Sequence, residues 1–94
     1  MWSDKTPNEQ FKLYLFCSYL YYKEDLSPMP DEHFDALCSS LAKCFDQVNH
    51  RHKDLVTKQD LEAGTGYAIQ YPTIVMGAAR AWYRDMMGIK RYAV

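Results

Sequence analysis

The clearest regularity along the chain is a set of apolar positions spaced three and four apart. Phe34, Leu37, Cys38, Leu41, Phe45 and Val48 share one helical face, so the spacing predicts a helix over 31–49 that buries it. The helix begins at Pro30 or Asp31, where Asp31 and Glu32 meet the positive end of its dipole. The preceding segment has another pattern: from Phe11 to Tyr22 every residue is apolar or aromatic except Lys12 and Ser18. A helix that is apolar around most of its circumference is buried on several sides, or presents aromatic surface to a ligand or partner. Thr6-Pro7-Asn8-Glu9 marks its start. Thr6 caps, Pro7 suits the first helical position and Glu9 closes a capping box, which predicts a helix over 7–24.

Between the two helices, Asp25 to Pro30 is a connection, because Pro28 and Pro30 lack a backbone donor and restrict the residues before them. A short link between two apolar faces predicts an antiparallel helical hairpin. Further on, Asn49 to Lys53 is polar, Asp54 to Glu62 has room for a short helical turn, Gly64-Thr65-Gly66 marks a loop and Tyr67 to Tyr71 reads as extended. Thr73, after Pro72, can cap a third helix that runs to Met87 and closes at Gly88. Val75, Ala78, Ala79, Trp82 and Met86 are its expected core stripe. The expected fold is all-α or nearly so: one small domain over 1–94, with a helical hairpin plus a third, C-terminal helix.

Length and charge narrow the function. Ninety-four residues hold one hydrophobic core, which excludes a two-domain enzyme closing over a cleft. Eleven Lys and Arg against twelve Asp and Glu give a net charge of −1, so no whole-chain attraction to nucleic acid or anionic membrane is indicated. No apolar run reaches the roughly 20 residues that span a bilayer, and the polar first segment lacks the order of a signal peptide. Cys17, Cys38 and Cys44 are odd in number and form no C-x-x-C pair, which reads as reduced thiols in a cytoplasmic protein.

Most motifs that invite chemistry have a plainer explanation. His50-x-His52 has no nearby thiol pair and the wrong spacing for joint ligation on a helix, so no metal is expected. Gly64-x-Gly66 lacks the remaining residues of a dinucleotide or phosphate loop and reads as a flexible turn. Arg80 and Arg84 stand one helical turn apart, with Lys90 and Arg91 beyond. They form a solvated face or a docking patch for an acidic partner, to which Trp82 and Tyr83 add residue types that anchor interfaces.

Tyr21-Tyr22 and the group Asp31, Phe34 and Asp35 are more pointed. Asp31 and Asp35 are spaced i,i+4 at a helix start, and the hairpin brings them to the tyrosines that close the first helix. Aromatic faces beside two carboxylates suit a flat cationic ring with attached hydroxyls. On the residues alone, helix-end packing and capping aspartates account for the same pattern.

The segment Tyr21-Tyr22-Lys23-Glu24-Asp25-Leu26-Ser27-Pro28-Met29-Pro30-Asp31-Glu32-His33-Phe34-Asp35-Ala36-Leu37 resembles the signature of the N-terminal Ia domain of bacterial NAD-dependent DNA ligases. That pattern is Tyr-Tyr/His, a spacer with Asp and Pro, then Pro/Ser-Asp-x-x-Tyr-Asp-x-Leu. His52-Lys53-Asp54-Leu55-Val56-Thr57 is more faintly similar to a His-Pro-Glu-Leu-Ile-Thr stretch of the same ligases. The resemblance covers about 8–66, and 67–94 has no counterpart in it. It implies recognition of the nicotinamide mononucleotide (NMN) half of NAD, with contacts at Tyr21, Tyr22, Asp31, Phe34 and Asp35. Phe34 stands where the family usually has Tyr, which keeps a ring and loses a hydroxyl hydrogen bond worth about 1 kcal/mol. The chain has no Lys-x-Asp-Gly adenylation motif, so no ligase or other enzyme activity is expected of it alone.

The first expectation is a non-catalytic binding module for NAD or NMN. An alternative class is an interaction protein that keeps the hairpin as scaffold and docks a protein partner through Arg80, Trp82, Tyr83 and Arg84. Short chains with a detached enzyme module are often phage-encoded, and a host-takeover or anti-defence role in the host cytoplasm belongs to this alternative. A subunit of a split ligase ranks third.

Overall fold

The computed structural model describes residues 5–64 and 69–87. The elements run in the order α1 (Pro7–Lys23), α2 (Asp31–Lys43), α3 (Lys58–Glu62) and α4 (Thr73–Met87). Short 3₁₀ turns at Phe45–Gln47 and Lys53–Leu55 connect α2 to α3. No strand occurs among the described residues, and the fold is an all-α small domain.

α1 begins as its sequence dictates. The Thr6 hydroxyl accepts from the Glu9 N–H at 3.2 Å, and the Glu9 carboxylate accepts in return from the Thr6 N–H at 3.2 Å. These reciprocal bonds hold the Glu9 carboxyl below its ordinary value, with the Thr6 backbone bond the main cause. The apolar girdle of α1 is buried on two sides, because α2 packs against one and α4 against the other. Phe11, Tyr14, Leu15, Cys17, Ser18, Tyr19 and Leu20 are all buried. Ser18, the polar exception in that run, donates to the Tyr14 carbonyl at 2.7 Å and so carries no unpaired hydroxyl into the core.

The contacts between α1 and α2 run in opposite directions along the two segments. Tyr21 meets Phe34, Tyr14 stacks on Phe34, Gln10 accepts from Ser40 at 3.1 Å and Phe11 meets Phe45. The hairpin is therefore antiparallel. α2 differs from expectation in length: it stops at Lys43, and Cys44 leaves helical geometry before the 3₁₀ turn. Tertiary contacts explain the early stop. Phe45 packs on Phe11 at 6.5 Å, and the Asn49 N–H is captured by Asn8 Oδ1 at 2.6 Å on the first turn of α1. Val48 stays buried without being helical.

α3 lies within the segment expected to hold a turn. Thr57 and Asp60 make a second capping box there, with reciprocal bonds of 3.0 and 3.1 Å. It packs against α2 through buried Leu61. The extended stretch expected at 67–71 lies partly outside the described residues, and Ile69 to Tyr71 form no strand. α4 is thus the fourth α-helix rather than the third. Thr73 is its first helical residue and not its cap: the Pro72 carbonyl accepts from the Val75 and Met76 N–H groups. The expected stop at Gly88 lies outside the described residues.

Within the expected α4 stripe, Val75 and Ala79 are buried and Trp82 is partly buried against Phe16. Ala78 and Met86 are exposed, because α4 meets α1 across Ala79, which packs with Tyr19 and Leu20. Cys17 and Cys38 are buried free thiols, and desolvation pushes both up to about 12. Cys44 is partly buried.

Candidate functional site

The turn between α1 and α2 decides what stands at the hairpin's end. Asp25 takes a left-handed conformation at φ +56, which Asp tolerates better than most residues. The chain then folds back so that the Leu26 N–H reaches the Leu20 carbonyl at 2.9 Å. Ser27 donates to the Met29 carbonyl at 3.1 Å, and Met29 packs against the core. The Pro30 carbonyl receives the His33 and Phe34 N–H groups and opens α2. This path sets Asp31, in the first turn of α2, opposite Tyr21 in the last turn of α1.

The Tyr21 hydroxyl donates to Asp31 Oδ1. That bond is the main reason the Tyr21 phenol is raised above its ordinary value, with desolvation and the charge of Asp31 following; the group therefore stays a donor. Tyr22 stacks beside Tyr21 with ring centroids 5.4 Å apart and planes 27° from parallel. Both rings are partly buried, while Asp31 and Asp35 are exposed. One oxygen of Asp31 accepts from Tyr21, which leaves that carboxylate acceptor capacity for a ligand. The second carboxylate stands one helical turn on, at Asp35.

Phe34 is placed differently from its expected role. It is only 3% exposed, with one face stacked on Tyr14 at 5.9 Å and its ring edge-on to Tyr21 at 6.1 Å. A ring sandwiched in this way has no open face for a ligand. It supports Tyr21 from beneath, and of the three rings only Tyr21 and Tyr22 are left partly exposed.

Gly64 joins the group through the fold. A Cβ at this position would lie 3.3 Å from Asp35 Oδ1, and the backbone there has φ +68. Glycine meets both demands, since it has no side chain to crowd the carboxylate and no steric penalty in the left-handed region. The Gly-x-Gly pattern was visible in the sequence, but its neighbourhood with Asp35 depends on how α3 packs against α2.

The four α4 residues considered for docking are not equivalent. Arg80 donates to Glu24 Oε2 at 2.9 Å, and the same oxygen accepts from the Tyr19 hydroxyl at 2.6 Å. Arg80 first and Tyr19 second hold the Glu24 carboxyl below its ordinary value. Trp82 packs on Phe16 at 5.8 Å, and Tyr83 packs against the cluster formed by Tyr19, Leu20 and Ala79. Arg84 is exposed. Three of the four thus join α4 to α1.

Among the described residues no helix is long and apolar enough to cross a membrane. Comparison of the chain with protein families, with characterised proteins and with solved structures gives no match.

Proposed function

We propose that the loop end of the hairpin binds a nicotinamide nucleotide, NMN or the NMN half of NAD, without catalysing its turnover. The observation that carries this reading is the convergence of the stacked Tyr21 and Tyr22 rings with the Asp31 and Asp35 carboxylates. Its chemistry matches a cationic pyridinium ring with a carboxamide and ribose hydroxyls. Aromatic faces attract the cation, and carboxylates accept from the amide and the hydroxyls. The Tyr21–Asp31 bond holds one carboxylate in place before the ligand arrives, which lowers the cost of ordering it. The resemblance of Tyr21 to Leu37 to the ligase Ia signature supports the same ligand.

A module of this kind would sequester the nucleotide or hand it to a larger enzyme. The domain is small and Phe34 lacks the family's usual hydroxyl, so the expected dissociation constant is weak, about 0.1–1 mM. Calorimetric titration with NMN, NAD and AMP tests the assignment. Heat with NMN and NAD, and none with AMP at the same concentration, is the expected result. Equal heats with AMP and NMN would point to phosphate or ribose recognition and remove the nicotinamide assignment.

A further inference from the structure

A second surface lies along α1, on the side that faces α4. Here α1, the start of α4 and the 49–52 loop enclose a groove of about 170 Å³. Its floor is apolar, made by Leu15, Phe16 and Val75, with Ala78 at the side and Ile74 at the lip. Its polar lining is entirely basic: Lys12 from α1, and His50, Arg51 and His52 from the loop. Glu9 is one turn before Lys12; its carboxylate is bonded back to Thr6 and feels the Lys12 charge only as a minor influence. Among the described residues, neither Lys12 nor Arg51 has a carboxylate within ion-pair distance.

The basic wall is held in position. The Asn49 N–H is bonded to Asn8 Oδ1 at 2.6 Å, and the His50 ring packs on Phe11 with centroids 5.2 Å apart. His50 Nδ1 accepts from the His52 N–H at 3.1 Å, which leaves Nε2 as the ring's donating nitrogen. Burial first, then the charges of His52, Arg51 and Lys12, push the His50 imidazole below the ordinary histidine value. Lys12 and Arg51 thus stand as cations beside two imidazoles over a low-dielectric floor, where an anion would be attracted more strongly than in open solvent.

The groove is open to solvent, and its apolar part suits a small group. An apolar cavity of about 150 Å³ takes up a benzene ring, so this one has room for a single ring or a branched aliphatic group. Exposed Ile74, 59% accessible, extends the apolar surface at the rim. We propose that this groove binds a small organic anion, with one aromatic or branched aliphatic group on the apolar floor and a carboxylate, sulfonate or phosphate head against Lys12, Arg51 and the histidines. The site is separate from the tyrosine–aspartate end and has the opposite charge.

The experiment follows the imidazole proton resonances of His50 and His52 in the full chain during titration with phenyl phosphate, inorganic phosphate and benzyl alcohol. Phenyl phosphate should saturate the shifts at a concentration about tenfold lower than either the head or the ring alone, because each half of the site is worth on the order of one such factor. The double variant Lys12→Gln, Arg51→Gln should raise the half-saturation concentration about tenfold with no change in melting temperature, since both side chains are exposed. Asp35→Ala should leave the titration as in the wild type. The proposal is overturned if inorganic phosphate matches phenyl phosphate, if no ligand gives a saturable shift, or if the double variant binds unchanged. Loss of the response in Asp35→Ala would also overturn it, by assigning the anion to the other end of the hairpin.

Discussion

The two ends of α1 carry opposite surfaces built from one helix. At its C-terminal end, Tyr21, with Tyr22 stacked beside it, meets Asp31 of α2, and Asp35 follows one helical turn on. Nearer its N-terminal end, Lys12 meets two histidines and an arginine across an apolar floor. A chain with a net charge of −1 thus separates its charges by sign, and whole-chain arithmetic conceals the separation. The two surfaces also differ in how far their polar groups already satisfy one another. The acidic end pairs one of its carboxylates with the Tyr21 hydroxyl, whereas Lys12 and Arg51 in the basic groove have no carboxylate within ion-pair distance among the described residues. The first is organised before a ligand arrives, and the second gains most from an anion.

Both surfaces hang on α1, so the largest effect should come from loosening its packing against α2. Leu41 is fully buried in the main core. Leu41→Ala should cost about 2–5 kcal/mol, read by urea denaturation, and should weaken both surfaces together. A loss of only a few tenths of a kcal/mol would show that the α1–α2 face is not the common support.

Gly64→Ala should separate the two surfaces. Left-handed backbone and the nearby Asp35 oxygen both oppose a methyl group there. The substitution should cost about 1–2 kcal/mol and weaken NMN binding, while the phenyl phosphate titration stays unchanged. Wild-type stability and wild-type NMN affinity in Gly64→Ala would remove Gly64 from the site.

Acid should probe the groove alone. The folded state holds His50 below its ordinary value near 6.5, so the unfolded chain binds that proton more tightly. This contribution to stability is complete above the ordinary value and is lost as pH falls through it toward the depressed native value. Between about pH 7.5 and about pH 5.5 the urea midpoint should fall, and it should fall less in His50→Gln. Identical slopes in the two proteins would show that His50 is neither buried in the groove wall nor under the field of His52, Arg51 and Lys12.

The smallest effect belongs to Arg80→Ala. Its ion pair with Glu24 is half-exposed on the Arg80 side, and exposed pairs add little. The melting temperature should barely move, and both ligand titrations should be unaffected. A large drop would reveal that the Glu24 network, and not the apolar seam at Ala79, fastens α4 to α1.

Local chemistry was the legible part of this sequence. The capping box at Thr6 and the prolines at Pro28 and Pro30 act over a few residues, and α1, the connection and the start of α2 follow from them. The end of α2 does not, because Phe45 and Val48 satisfy the same spacing whether the last turn is α or 3₁₀. The early end goes with long-range contacts, Phe45 on Phe11 and the Asn49 N–H on Asn8, the latter forty-one residues away in sequence. On α4, small and large apolar residues surround Ala79, and periodicity alone could not tell that Ala78 and Met86 would face solvent. Phe34 was the conflict visible in advance. It shares its periodic face with Leu37, Cys38 and Leu41, and a residue on a core face cannot also offer its ring to a ligand. The basic groove is not legible in the sequence, because its residues come from three separate segments.

The nucleotide assignment at the hairpin's end is tested most directly by one paired measurement on Asp35→Ala: the heat of NMN binding and the melting temperature, each beside the wild type. Asp35 is exposed and lies on the rim of the site, not in the core. The account predicts that wild-type protein gives saturable heat, that Asp35→Ala gives none, and that the two melt together. A wild-type protein silent to NMN, with Asp35→Ala melting well below it, would contradict the account and make the aspartate a structural residue.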